Sequence, residues 1–212
     1  MSAHSAAPGR PPARLPHILL VLAVLAGLFF SMRPQPVQAA PPQASGQPAE
    51  LRVLATTFPV YLFTRNVAHS RPYVRVELLI PAQAGCPHDY APTPRDLQKL
   101  AQAQVVVMNG LGLEEFLAAP LKKINAKATV IDSSKGIDPL PLPRGMSPSP
   151  HAGHDHGNVN PHIFAGPRQA AAMVYNIAAG LARVDPQGAA AYRAAAEDYA
   201  ARLLSVGRRL AE

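Results

Sequence analysis

The period of apolar and polar positions changes several times along the chain. Leu51–Thr56 (LRVLAT) and Val74–Ile80 (VRVELLI, closed by Pro81) are short runs of aliphatic and β-branched residues, and each predicts a strand. Val105–Met108 (VVVM) is apolar throughout, as a strand covered on both faces must be, and Thr129–Asp132 predicts a fourth. Between these runs the period lengthens. Phe58, Tyr61, Leu62 and Arg65 recur at helical spacing within Phe58–Ala68. Thr93 predicts an N-cap, with Pro94 at the first helical position and Asp96 at the third, for a helix running to about Ala103. The turn Asn109-Gly-Leu-Gly112 leads into a helix predicted over Glu114–Ile124. Pro167 opens another helix, which Asp185-Pro186 breaks. From Gly188 onward Tyr192, Ala195, Tyr199, Leu203, Val206 and Leu210 form a stripe spaced by three and four, which predicts a long last helix with nothing after it to bury its apolar face. Strands alternating with helices imply an α/β fold, a parallel sheet flanked by helices on both sides, whose ligands bind beyond the carboxyl ends of the strands.

The amino terminus changes where this fold is expected to work. Arg10 and Arg14 precede an apolar run from Ile18 to Phe30, followed by Pro34, Pro36 and the small-residue site Val37-Gln38-Ala39, the pattern of a secretory signal peptide cleaved after Ala39. The run is shorter than the roughly 20 residues a membrane-spanning helix needs. The expected organisation is a signal peptide at 1–39, a Pro/Gln/Ala-rich linker at 40–50, and a soluble periplasmic domain from 51. Cleavage removes three of the 20 basic residues (Arg10, Arg14 and Arg33) and leaves 17 against 13 acidic ones. That mild excess, without a Lys/Arg run, argues against a nucleic-acid partner. The single cysteine, Cys86, allows no internal disulfide and lies far from the cleavage site, so no lipid-bearing amino-terminal cysteine is expected; the core must hold the domain.

Candidate chemistry is concentrated in histidines. The segments GCPHDYAPTPRDLQKL (85–100) and VNPHIFAGPRQA (159–170) each place a Pro-His step, at His88 and His162, just before a helix start. Between them, the Pro/Gly/Ser-rich stretch 137–159 carries His151, His154 and His156. Loops this long without regular structure are usually functional or disordered, and three imidazoles within six positions make metal capture the natural function. Imidazole suits zinc, copper, iron and nickel rather than magnesium or calcium. Cys86 is a weaker candidate donor, Asp89 a carboxylate placed to orient an imidazole, and Asp96 a cap. His69 reads as surface, and Tyr61 and Tyr90 as packing residues. The Asn109-Gly-Leu-Gly112 turn lacks both the Walker lysine and the third dinucleotide glycine, so a tight strand-to-helix turn is expected there, not a phosphate loop. No H-E-x-x-H helix and no nucleophile-base-carboxylate set is present, so catalysis is not implied.

In VLATTFPVYLFTRNVA, PHDYAPTPRDLQKLAQAQVVVMNGLGLEEFL and NPHIFAGPRQAAAMVYNIAAGLARVDP, together with the His-rich loop before the last, the chain resembles the zinc- and manganese-binding solute receptors of bacterial ABC importers, the ZnuA-like or TroA-like family. The resemblance covers residues 51–212. It implies two α/β lobes joined by a long helix, with a metal ion held in the cleft. In this chain it gives His88 and His162 as ligands, residues 51–186 as the amino-terminal lobe, and 187–212 as the start of the interlobe helix. Zinc is the expected cargo, with manganese as the alternative, and a monomer handing its ion to a membrane permease is the expected assembly. A carboxyl-terminal lobe supplying a His or Glu and a further carboxylate is absent, so a fragment of a longer reading frame is expected ahead of a half-receptor completed by its own loop. The rival functions are a periplasmic zinc buffer working through the loop and a metallohydrolase using His88 and His162 with a bound water.

Overall fold

The computed structural model describes residues 49–85, 87, 90–139 and 159–210. Four strands, β1 (Leu51–Ala55), β2 (Val74–Leu78), β3 (Val105–Met108) and β4 (Thr129–Asp132), pair in parallel in the order β2-β1-β3-β4. Val53 lies opposite both Val76 and Val105, and Val107 opposite Ile131. Parallel neighbours cannot be joined by a hairpin, so each connection crosses over through a helix. These are α1 (Phe58–Ala68), α2 (Pro94–Gln102) and α3 (Ala118–Ile124), followed by α4 (Pro167–Val184) and α5 (Ala189–Leu210). The α/β class with a parallel, two-sided sheet is as the sequence predicts.

The two-residue period of the strands divides the interior into two cores. Val53, Ala55, Val105, Val107 and Ile131 face one way, into a core completed by α1, α4 and α5. Leu54 and Val106 face the other way, against Leu79, Ile80, Leu100 and Leu117. The expected Thr93 cap is present in full: Thr93 Oγ1 accepts from the Asp96 backbone N–H at 3.3 Å, and the Asp96 carboxylate accepts from the Thr93 N–H at 2.9 Å. Strands β1 and β2 end at Ala55 and Leu78, short of the predicted Thr56 and Ile80, although Leu79 and Ile80 still donate to the Ala55 and Thr56 carbonyls.

Three details differ from the pattern reading. The helix predicted over Glu114–Ile124 is a 3-10 turn at Glu115–Leu117 followed by α3. Pro120 explains the break: it has no N–H for a carbonyl one turn back, so the α-helix begins at Ala118 and keeps the proline in its first turn. In α1 the buried face is Val60, Phe63, Thr64 and Val67, while Phe58 and Leu62 are exposed. Thr64 can be buried because its hydroxyl donates to the Val60 carbonyl at 2.7 Å, and the aromatic stripe is satisfied laterally, by Phe58 stacking on Tyr61 and Arg65 lying over the Tyr61 ring. The stripe of the last helix is not left bare along its length. Tyr192, Ala195, Ala196 and Ala200 are buried against α4 and α1, and only its distal end, Val206 and Leu210, remains exposed. Alanines permit this close antiparallel packing of α4 and α5, and Gly207 lets the distal turn reach Pro167.

Candidate metal centre

The winding of the sheet reverses between its two middle strands, because β1 is followed by β2 on one side while β3 is followed by β4 on the other. The crevice outside the carboxyl ends of such a pair is where α/β sheets bind ligands. Here one side chain bridges it. Glu114, almost fully buried, accepts from Thr56 Oγ1 at the end of β1 at 2.5 Å and from the Asn109 N–H at the end of β3 at 2.7 Å, and its second oxygen accepts from the Gly110 N–H at 3.2 Å. Burial pushes the Glu114 carboxyl above the ordinary glutamate range; the three hydrogen bonds oppose that shift without cancelling it, and the nearby Asp132 charge adds to it.

The turn after β3 is wound tightly. Gly110, Leu111 and Gly112 have φ of 88°, 53° and 79°, the left-handed region that glycine enters without steric penalty. A Cβ on Gly110 would collide with the Asp132 carboxylate and the Ser134 hydroxyl. The reading of Asn109–Gly112 as a strand-to-helix turn fits this geometry.

This turn holds both histidine segments. Asn109 Nδ2 donates to the carbonyl of Pro161, the residue before His162, at 2.9 Å. Phe116 meets the ring of Tyr90 edge-on at 6.0 Å, and Tyr90 donates to Asp96 at 2.6 Å, which fixes the chain two residues after His88. Burial, then the Asp96 carboxylate, pushes the Tyr90 phenol up to about 12. Asp96 is held below the ordinary carboxyl range: burial works against its charge, but hydrogen bonds from Thr93 and Tyr90 and the Lys99 ammonium prevail.

His162 stands exposed at the crevice. Its backbone N–H and its ring Nδ1 lie 3.0 and 2.9 Å from Asn160 Oδ1, and its ring meets Phe164 edge-on at 5.8 Å. Ile163, fully buried, anchors the 3-10 turn that follows. An open pocket of about 460 Å³ adjoins, lined by Met108, Gly110, Leu111, Glu114 and Val159 among others. His88, Cys86, Asp89, His151, His154 and His156 lie outside the described residues, as does the apolar run Ile18–Phe30. Among the described residues no three His, Cys, Asp or Glu side chains come together as a metal cage, and no helix is long and apolar enough to cross a membrane. His69 is exposed, with Nδ1 on the Asn66 carbonyl at 2.8 Å.

The sequence reading missed Asn109, Glu114 and Asn160. Glu114 had a signal as one of two adjacent carboxylates, Glu114 and Glu115, inside an otherwise apolar run after Gly110. Asn160 had one too, since an Asn two residues before a His is placed to bond that residue's backbone.

Sheet order and bridged crevice define a parallel α/β fold with a switch point between β1 and β3. Over residues 53–212 the chain matches the family described as zinc-uptake complex component A, periplasmic (ZnuA), and it belongs to that family. The high-affinity zinc uptake system protein ZnuA of Bacillus subtilis is 30% identical over 160 residues, 73% of this chain and 48% of that protein. The manganese-binding lipoprotein MntA of Halalkalibacterium halodurans is 37% identical over 113 residues, 53% of this chain and 34% of that one. A crystal structure of ZnuA superposes with a TM-score of 0.65 at 28% identity, covering 76% of this chain and 57% of that one. The chain thus spans about a third to a half of the length of these two relatives.

Proposed function

We propose that this protein is the amino-terminal lobe of a periplasmic zinc receptor that passes its ion to the membrane permease of an ABC importer. Residues 51–186 form the lobe, α5 begins the helix toward a second lobe, and residues 1–39 are a cleaved signal peptide. His88 and His162 are the ligands this lobe contributes, and His151, His154 and His156 capture further zinc. Manganese, which MntA is named for binding, is the alternative cargo. The ion is cargo, not a reagent, and the protein acts as a monomer without catalysis. The observation that supports the reading is that one stretch, Asn109–Leu117, bonds the Pro161 carbonyl beside His162 and packs on Tyr90, two residues beyond the first Pro-His step.

Calorimetric zinc titration of the full chain tests this. Deleting residues 151–157 should lower the number of ions bound while leaving a discrete site, because a polar loop supplies ligands but little buried surface. His88→Ala with His162→Ala in the loop-deleted chain should abolish that site. Tight binding that survives both changes would move the centre elsewhere.

A further inference from the structure

We infer that Asn160 fixes the tautomer of His162 so that Nε2 is the nitrogen presented to the metal; this rests on the reading of His162 as a ligand. The His162 backbone N–H can only donate, and it lies 3.0 Å from Asn160 Oδ1. The atom facing it must therefore be the amide oxygen, since the amide nitrogen would set donor against donor. That same oxygen lies 2.9 Å from the His162 ring Nδ1. An amide oxygen only accepts, so Nδ1 must carry the proton, and the lone pair of the neutral ring resides on Nε2.

Free histidine prefers the opposite tautomer, with the proton on Nε2. The arrangement at His162 is thus imposed by Asn160, whose backbone is held in turn. Its neighbour Pro161 is buried and accepts from Asn109 at 2.9 Å, and Ile163 beyond the histidine is fully buried. Phe164, edge-on at 5.8 Å, limits rotation of the ring. Ligating histidines generally donate their other N–H to a carboxylate or carbonyl, which orients them and raises their basicity, and loss of that partner typically lowers metal affinity 10- to 100-fold. Asn160 fills this role with an uncharged acceptor. It is a positioning residue, two positions before His162 on the same segment.

Long-range proton–nitrogen NMR of the metal-free full chain, at about pH 8 where imidazole is neutral, reads the tautomer directly; the His162 resonances are assigned by their loss in His162→Gln. The expected result is Nδ1–H in the parent and in Asn160→Asp, and a shift toward Nε2–H in Asn160→Ala. Zinc affinity should fall about 10- to 100-fold in Asn160→Ala and be restored by Asn160→Asp. A parent ring protonated on Nε2, or a tautomer unmoved by Asn160→Ala, overturns the inference. So does unchanged affinity in Asn160→Ala. Because the tautomer is read without metal, its failure is separate from that of the metal-centre reading, which fails instead if His162→Ala leaves zinc binding intact.

Discussion

Glu114→Gln should remove the pH dependence that the buried carboxyl gives the fold. Glu114 is about 1% exposed and its carboxyl is raised above the ordinary value of 4.5, chiefly by burial. Between 4.5 and the raised value the folded chain holds a proton that the unfolded chain has released. Stability therefore falls as pH rises through this window, by at most about 1.4 kcal/mol per pH unit from this one group. The amide keeps an oxygen for Thr56 and Asn109, but its NH2 cannot accept from the Gly110 N–H as the second carboxyl oxygen does. At low pH the variant should thus start below the parent, by about 1–3 kcal/mol for the unsatisfied donor. As pH rises from 4.5 through the raised value, the glutamine variant should gain on the parent, while carboxylates common to both, including Asp96, cancel in the difference. Urea unfolding at half-unit pH steps measures this gap from the midpoint at constant m. A variant that gains nothing on the parent as pH rises, or that loses ground to it, would refute the account of Glu114 as a desolvated acid at the crevice.

Gly110→Ala should lose more than 2 kcal/mol, because it adds a left-handed backbone penalty to a collision with Asp132 and Ser134; denaturant unfolding checks this, and the variant should also loosen the Pro161 tie and weaken zinc binding. Gly180→Ala improves helix propensity by about 1 kcal/mol but places a methyl 2.6–2.7 Å from three atoms of buried Ile131, so a net loss of about 1–2 kcal/mol is expected, with non-additive relief when combined with Ile131→Ala in a double-mutant cycle. Asp185→Ala removes the acceptor shared by Tyr73 at 2.6 Å, Tyr192 at 2.8 Å and Arg71 at 3.3 Å, leaving a largely buried guanidinium unpaired; about 3–5 kcal/mol should be lost in thermal or urea unfolding.

The class of fold was legible because the strands obey one simple rule. VVVM at 105–108 is apolar at every position, and a strand in the middle of a two-sided parallel sheet must be. The cap at Thr93 was legible for a similar reason, since its partners are three residues apart and depend on nothing distant. What escaped the pattern depends on distance. Whether Val60 or Leu62 faces inward is decided by which side of α1 meets the sheet, and both sides carry apolar residues at helical spacing. The burial of Tyr192 and Ala196 requires α4 to lie alongside, 20 residues earlier in the chain, and the acceptor role of Glu114 requires Thr56, which is 58 residues away. His162 could be singled out by its motif and Asn160 by its spacing, but that the same Asn160 oxygen also meets the ring Nδ1 could be seen only once the two were placed.

In the proposed receptor the crevice also has to accept a charge that its architecture opposes. Helices α1, α2 and α4 all begin at the carboxyl edge, so their positive ends face the site, an arrangement that favours anions. Each of the three carries a proline in its first two positions, and each proline removes one N–H that would otherwise point toward a bound cation. Neutral imidazoles bring lone pairs without charge, so compensation for a divalent ion must come from carboxylates at the same edge. Asp132 is one, held at the end of β4 by the Ser134 N–H at 2.9 Å and hydroxyl at 2.7 Å, and Glu114 is another once it is ionised. A cation at the crevice would draw the Glu114 proton off. At a pH low enough that Glu114 still holds its proton, zinc binding should therefore release a proton beyond any from the histidines, and Glu114→Gln should reduce that release, which calorimetry in buffers of different ionisation enthalpy would count.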